Sequence, residues 1–266
     1  METSRGSRIG VIGGAGWLGG AIAAAVLDAG VADPRDLTLS YRSTRRDRFP
    51  QAFWTQDNQA LIDRSDVIIL SIRPADWADL KVDADGKLVI SVMAGIRLSA
   101  LCGQLRTRRV IRTLPNAAAE VRKSYTPWIA TNEVSDADRA IVRTILDACG
   151  IQDEVRTEAE IDYLTGLTGS GPAFPALLAE AMMVDAIAHG LDRKVAHRAV
   201  NTVLVGTGRM LEQHDVCPAD TVQTFLDYRG TTAAAIEAMT VAGFATSVSA
   251  GLGAALERSI EMGETS

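Results

Sequence analysis

The sequence predicts an α/β fold: a doubly wound, parallel sheet followed by a second part built from helices alone. Three observations carry this. The first is Arg8-Ile-Gly-Val-Ile-Gly-Gly-Ala-Gly-Trp-Leu-Gly19, where a short apolar run meets Gly14-x-Gly16-x-x-Gly19 and then an Ala-rich stretch from Ala21 to Ala29. The second is a series of unbroken apolar runs, up to about residue 155, that alternate with helical patterns. The third is the loss of strand signals from about Ile161, after which Ala-rich helices take over. Alternation implies strands covered by helices on both faces, and continuous apolar strands suit a parallel sheet.

Each element has its own signal. Strands are expected at Ile9–Ile12, Leu37–Tyr41, Val67–Ile72, Leu88–Val92 and Arg109–Thr113, the third stopped by Arg73-Pro74. Helices are expected at Asn58–Arg64 and Leu98–Leu105, and from the capping residue Ser135 to Cys149, with Gly150 as the stop. In the second part, Pro172 opens a helix that runs to His189 and ends at Gly190. Asp192 caps the next, which reaches about Gln213. A shorter helix follows Pro218, another starts near Thr231, and the last runs from Phe244 to Met262. The division is placed at 1–156 for the sheet domain and 157–266 for the helical one. So short a bundle, rich in Ala and Gly, is not expected to cover its apolar surface alone. Pairing with a second copy of the chain is the expected solution.

The glycine loop carries the first functional expectation. Its first glycine permits a tight turn and its second lets backbone approach a pyrophosphate. The third lets helix and strand pack closely, and the helix start offers free N–H groups to the anion. The alternative is a turn that only packs. The end of the second strand then separates the two nicotinamide dinucleotides. An acidic residue there binds a ribose hydroxyl, whereas arginine accommodates a 2′-phosphate. Here the chain reads Ser40-Tyr41-Arg42-Ser43-Thr44-Arg45-Arg46, with no acid before Asp47. NADPH is therefore the expected cofactor, with NADH possible. Arg45 and Arg46 are expected to strengthen the local positive potential, in a basic cluster with Arg42 and Arg48 that is the right size for one phosphate; a solvated basic turn is the alternative.

Composition excludes several classes. Among 266 residues 47% are hydrophobic, enough for a real core, and the net charge is −6 with no long basic run. Nucleic acid is not an expected partner. Cys102, Cys149 and Cys217 show no metal or disulfide spacing and suit reduced thiols in a cytoplasmic protein. No metal site is expected. Met1 to Ser7 is polar and unlike a signal peptide, and no run of eighteen apolar residues suggests a membrane span. Met1–Ser7 and Gly263–Ser266 are expected to be mobile. His189, His197 and His214 have no ligand spacing, and Glu180 and Asp185 are not a carboxylate pair.

Three further segments extend the reading. Ser65-Asp-Val-Ile-Ile-Leu-Ser-Ile-Arg-Pro74, Leu88-Val-Ile-Ser-Val-Met-Ala-Gly-Ile96 and Leu164-Thr-Gly-Leu-Thr-Gly-Ser-Gly-Pro-Ala-Phe174, taken with the glycine loop, resemble pyrroline-5-carboxylate reductase from Ile9 to about Met262. The resemblance implies a Rossmann domain, an all-helical dimerisation domain, a homodimer or higher homo-oligomer, and NAD(P)H-dependent reduction of a cyclic imine to L-proline. Gly14, Ala15, Gly16, Leu18 and Gly19 resemble the pyrophosphate loop, with Trp17 inside it where the family has a smaller residue. Arg42 and Ser43 resemble the family's Asn-Arg-Ser/Thr signature, with Tyr41 in place of Asn. The resemblance further implies cofactor contacts for Asn58, for Ser71, Ile72, Arg73 and Pro74, and for Met93, Ala94 and Gly95.

For the substrate, the resemblance points to Ser170 and Gly171 and to Gly230, Thr231 and Thr232, with Thr232 holding the imine nitrogen. Helix capping is the alternative role for Ser170 and Gly171, ahead of Pro172, and for Thr231 and Thr232. The family's Met-Pro-Asn-Thr-Pro stands here as Leu114-Pro-Asn116-Ala117-Ala118. Its Ser-Pro-Gly-Gly-Thr-Thr stands as Asp227-Tyr228-Arg229-Gly230-Thr231-Thr232. An anion at Asp227 would oppose a substrate carboxylate, which Arg229 could offset. Two further readings follow: reduction of a different cyclic imine, and a catalytically weak NADP-binding regulatory protein. An F420-dependent NADP reductase would match the first half but not Leu164–Phe174.

Overall fold

The computed structural model describes residues 7–45, 47–213 and 217–264, with Gln213 described in its backbone only. Arg46, His214 and the outer parts of both expected mobile ends lie outside the described residues. Gly263 and Glu264, expected to be mobile, instead continue the last helix.

The chain divides into two compact units. The first holds residues 1–170 and 255–266, and the second holds 171–254. The first is built on an eight-stranded sheet. Its strands are β1 (Ile9–Ile12), β2 (Leu37–Ser40), β3 (Phe53–Thr55), β4 (Val67–Leu70), β5 (Leu88–Ser91), β6 (Val110–Thr113), β7 (Ser124–Ala130) and β8 (Gly150–Glu154). The spatial order is β3-β2-β1-β4-β5-β6-β7-β8, and all pairs are parallel except β6 with β7. Running outward from β1 in both directions creates a switch point between β1 and β4, where ligands of such sheets bind.

Apolar alternation explains the two-sided core. Successive strand residues face opposite sides of a sheet. Val67 and Ile69 of β4 join one buried cluster with Ile22, Leu39, Ile90 and Trp128. Ile68 and Leu70 join the other, with Leu61, Val89, Leu101 and Trp77. The helices that supply these clusters include α1 (Trp17–Asp28), α2 (Asn58–Arg64), α3 (Leu98–Leu105) and α4 (Asp136–Asp147). Ser135 begins α4 through a capping box with Asp138, as its position predicts.

Three strands are additional to those expected. β3 has only three residues and lies at the edge. β7 contains Pro127, which argues against a strand in sequence; its carbonyl still accepts from Leu114 N–H and the Thr113 hydroxyl. β8 is polar and starts at Gly150, where a helix stop was expected.

A buried ionic cluster closes this unit. Arg112 of β6 is 1% exposed and meets Glu158 at 2.9 Å and Asp162 at 2.6 Å. Both acids lie on α5 (Glu158–Leu164). Arg97 adds a contact to Asp162 at 3.6 Å, and Glu158 also accepts from the Leu98 N–H at the start of α3.

The helical part contains α6 (Ala173–Ala188), α7 (Arg193–Gln213), α8 (Pro218–Asp227), α9 (Thr231–Val241) and α10 (Phe244–Glu264). Asp192 accepts from the Lys194 and Val195 N–H groups and so caps α7 as expected. No residue of α6 is buried, although the helix is mostly apolar. Leu177 is 66% and Val184 64% exposed. The stretch Glu158–Ala188, in which α5, a π-helical turn and α6 follow one another, contains an 18-residue window of mean hydropathy 1.3 and so has the length and composition of a membrane span, although no such run was expected.

Candidate active site

The glycine loop is shaped by the ends of β1, β2 and β4. Gly13 turns the chain at φ 83°, and a Cβ there would lie 2.2 Å from the Ser71 carbonyl oxygen. Ser40 at the end of β2 fixes the turn twice. Its hydroxyl accepts from Gly13 N–H at 3.0 Å and its carbonyl from Ala15 N–H at 3.2 Å. Gly19 lets α1 press against the loop, because a Cβ would stand 2.6 Å from the Gly13 carbonyl. No side chain caps α1, so its first N–H groups suit an anion. Gly13 and Ser40 are positioning residues that the glycine spacing did not single out. The doubled glycine after the strand was the available signal for Gly13.

A cleft of about 640 Å³ opens beside this loop. It brings together Ala15, Gly16, Tyr41, Arg42, Asn58, Ser71, Ile72 and Arg73 from the expected set. It adds Gln56, Asp57, Gln59, Asp76, Asp79 and Lys81, which the sequence reading missed. Their roles depend on contacts between distant segments. Gln56 donates to the Arg42 carbonyl at 2.9 Å and so fixes the backbone beneath that guanidinium. Asp57 caps α2 through Gln59 and Ala60 N–H.

The basic cluster is divided among different contacts. Arg45 lies over Trp54 and Arg48 over Phe49, with guanidinium-to-ring distances of 5.7 and 5.0 Å. Arg42 is the member of that cluster, among the described residues, that lines the cleft. It meets Asp76 at 3.3 Å. Arg73 holds the same carboxylate with two contacts, at 2.9 and 3.0 Å. The Arg73 hydrogen bonds hold the Asp76 carboxyl below the usual carboxylate range.

Other expected cofactor residues are not on this lining. Gly14 and Gly19 shape the loop, Leu18 packs on the core, and Ser43 is exposed. Trp17 Nε1 donates to Glu120 at 3.2 Å, so its ring is tied to the turn after β6 and does not line the cleft. Pro74 opens a short 3₁₀ turn, Pro74–Asp76. Met93 is buried in the second core cluster, and Gly95 at φ 77° packs against Met262.

The expected substrate residues fall on both units. Ser170 belongs to the first. It follows a π-helical turn, Thr165–Gly169, and its hydroxyl reaches back to the Thr165 carbonyl at 3.4 Å. The alternative in which it caps α6 is therefore corrected: Pro172 holds the capping position, without a side-chain bond. Asn116 donates to the Thr168 carbonyl at 2.9 Å and anchors this turn. π-turns recur at functional sites because they re-aim the residues that follow.

Gly171 and the Asp227–Thr232 loop belong to the second unit. Asp227 closes α8 and accepts from Gln223 at 2.8 Å, one turn back. Arg229 adopts φ 52° where the resembling family has glycine. Gly230 is the capping residue of α9, with no side-chain cap. Thr231 and Thr232 are the first two helical residues, so the capping alternative for them is also corrected. Both residues are exposed.

The chain matches two family models. Residues 158–262 match pyrroline-5-carboxylate reductase dimerisation, and residues 8–95 match the F420-dependent NADP oxidoreductase model. A curated relative from Synechocystis sp., a pyrroline-5-carboxylate reductase, is 30% identical and covers 97% of this chain and 98% of its own length. The chain belongs to the pyrroline-5-carboxylate reductase family.

Solved members share the fold along their whole length. The pyrroline-5-carboxylate reductase of Coxiella burnetii is 26% identical with a TM-score of 0.85, covering 96% of this chain and 98% of its own. The Plasmodium falciparum enzyme, solved with NADP bound, is 22% identical with a TM-score of 0.85, covering 97% and 98%. The F420-type match explains why the glycine-loop half alone leaves two reductase families open. The helical half decides between them.

Proposed function

We propose that this protein reduces 1-pyrroline-5-carboxylate to L-proline with NADPH as the hydride donor. The observation that carries it is family membership over both halves, joined to a cleft that pairs a glycine loop with Arg42. The cleft fits the cofactor: an uncapped helix start for the pyrophosphate, a volume of about 640 Å³, and a guanidinium after β2. Ala15, Gly16 and the α1 N–H groups would hold the pyrophosphate. Arg42, Ser43 and Asn58 would hold the adenosine end, flanked by Tyr41. Ser71, Ile72 and Arg73 would form the wall toward the nicotinamide. NADH is the weaker alternative donor.

When bound, NADPH would supply the hydride that the imine carbon accepts, which leaves this chain's residues to position and orient the ring and to protonate its nitrogen. Thr232 offers its hydroxyl to the imine nitrogen. The N–H groups of Gly230 and Thr231 at the uncapped start of α9 suit the substrate carboxylate. Asp227 opposes that carboxylate and Arg229 offsets it. The Asp227/Arg229 pair favours a second reading, a different cyclic imine in specialised metabolism.

The functional division follows 1–156 and 157–266, supported by a dimerisation match that begins at residue 158. That match spans the apolar run Glu158–Ala188, which we read as a subunit contact and not a membrane span. The protein is a homodimer or larger homo-oligomer in the cytoplasm, without nucleic-acid or membrane partners. The test is NADPH oxidation against cyclic imines with and without a carboxylate. Preferred turnover of 1-pyrroline-5-carboxylate supports the first reading, and preference for an uncharged imine supports the second. NADPH binding without turnover of any imine would leave the regulatory reading.

A further inference from the structure

We propose that Asp76 sets how strongly the cleft prefers the phosphorylated dinucleotide, by placing a fixed negative charge against Arg42. The inference rests on the reading that Arg42 meets the 2′-phosphate. Two features make Asp76 a built-in competitor. Arg73 grips both its oxygens, so the carboxylate stays in place, and its side chain is 29% exposed. Arg42 is 77% exposed and reaches Asp76 through one contact at 3.3 Å. Asp76 thus meets Arg42 through one contact and Arg73, itself 71% exposed, through two.

Charge along the cleft is mixed. Arg42, Arg73 and Lys81 stand against Asp57, Asp76 and Asp79. Asp57 is engaged in capping α2, and Lys81 donates to the Ala78 carbonyl. Asp76 touches Arg42 itself. A dianionic phosphate arriving at this guanidinium shares it with a carboxylate and meets like charge beside it. An unphosphorylated ribose carries no such charge. Asp76 therefore weakens NADPH more than NADH and keeps the two closer than Arg42 alone would.

The test is fluorescence titration of the purified protein with NADPH and NADH, and calorimetric titration with 2′,5′-ADP, which isolates the phosphate end. Asp76→Asn keeps the shape and removes the charge. It should tighten NADPH and 2′,5′-ADP by about fivefold and change NADH by less than about twofold. Asp76→Glu should keep the wild-type ratio. In an Arg42→Ala background the gain from Asp76→Asn should largely vanish. Unchanged or weaker NADPH binding in Asp76→Asn, or an equal gain for NADH, overturns the proposal. Arg42→Ala separates the two levels. A loss selective for NADPH upholds the role of Arg42 even where Asp76→Asn fails, whereas equal losses for both dinucleotides overturn that role and this inference together.

Discussion

At the residue scale the substrate loop gives the sharpest expectations. Asp227 places an anion at the C-terminal end of α8, where backbone carbonyls already concentrate negative charge. Its Gln223 contact does not neutralise it. Asp227→Ser should therefore lower KM for 1-pyrroline-5-carboxylate by about three- to tenfold with little change in kcat, because repulsion acts in ground and transition states alike. An unchanged or higher KM removes Asp227 from the site. On the proposed role, in which the Thr232 hydroxyl serves the imine nitrogen as that atom gains its proton, Thr232→Ala should instead lower kcat by about tenfold or more. Retained kcat in a folded Thr232→Ala protein would discard the role.

Cysteine chemistry provides a separate check. Burial pushes the Cys149 thiol up to about 11, while Cys217 is exposed. At pH 8 the thiolate at Cys149 is on the order of a hundredfold scarcer than for an ordinary thiol. Iodoacetamide should label Cys217 first, and Cys149 only after denaturation. Mass mapping of labelled peptides reads this directly.

At the element scale the junction of β6 with α5 dominates. Arg112, Glu158 and Asp162 are charges removed from water, and each survives because the others are present. Arg112→Ala leaves Asp162 buried without its closest partner and should cost about 3–5 kcal/mol. The expected readout is a large downward shift of the urea midpoint. Replacing the contact by Arg112→Met with Asp162→Leu should recover most of it, because an apolar pair carries no desolvation cost. A midpoint unmoved by Arg112→Ala would show that the cluster is solvated. The same elements matter for function. Glu158 also holds the Leu98 N–H, so α5 fixes the start of α3 just beyond Met93, Ala94 and Gly95.

At the scale of the whole molecule, the helical part exposes what a core normally hides. Leu177 and Val184 are seven residues apart on α6, hence on one face, and each is about two-thirds exposed. A surface of this kind calls for a partner, and the dimerisation match covers it. Leu177→Glu combined with Val184→Glu should turn the oligomer into monomers at micromolar concentration in sedimentation velocity. Persistence of the dimer would place the contact on another face.

What the chain order dictates, a reader of the sequence can recover. The apolar strands β1, β2, β4, β5 and β6, the glycine loop, the Ser135 and Asp192 caps and the change to helices near Ile161 depend on neighbours within a few residues. Family membership was legible for the same reason, because short motifs recur with fixed spacing. β7 and β8 were not legible: Pro127 and a polar edge argue locally against strands, and only the pairing of β7 with β6 and of β8 with β7 overrides them. The same holds for the cleft. Arg42 was visible from its place after β2. Asp76 lies thirty-four positions further along the chain and Gln56 fourteen, and only the parallel crossover brings them to the same guanidinium and its backbone. The capping roles of Ser170 and Thr232 failed because residue type permits a cap, whereas the backbone path of the π-turn and of Gly230 decides where the cap falls. Sequence thus determined the elements and the family. Tertiary structure decided which charges meet, because electrostatic partners are chosen by distance in space and not by separation along the chain.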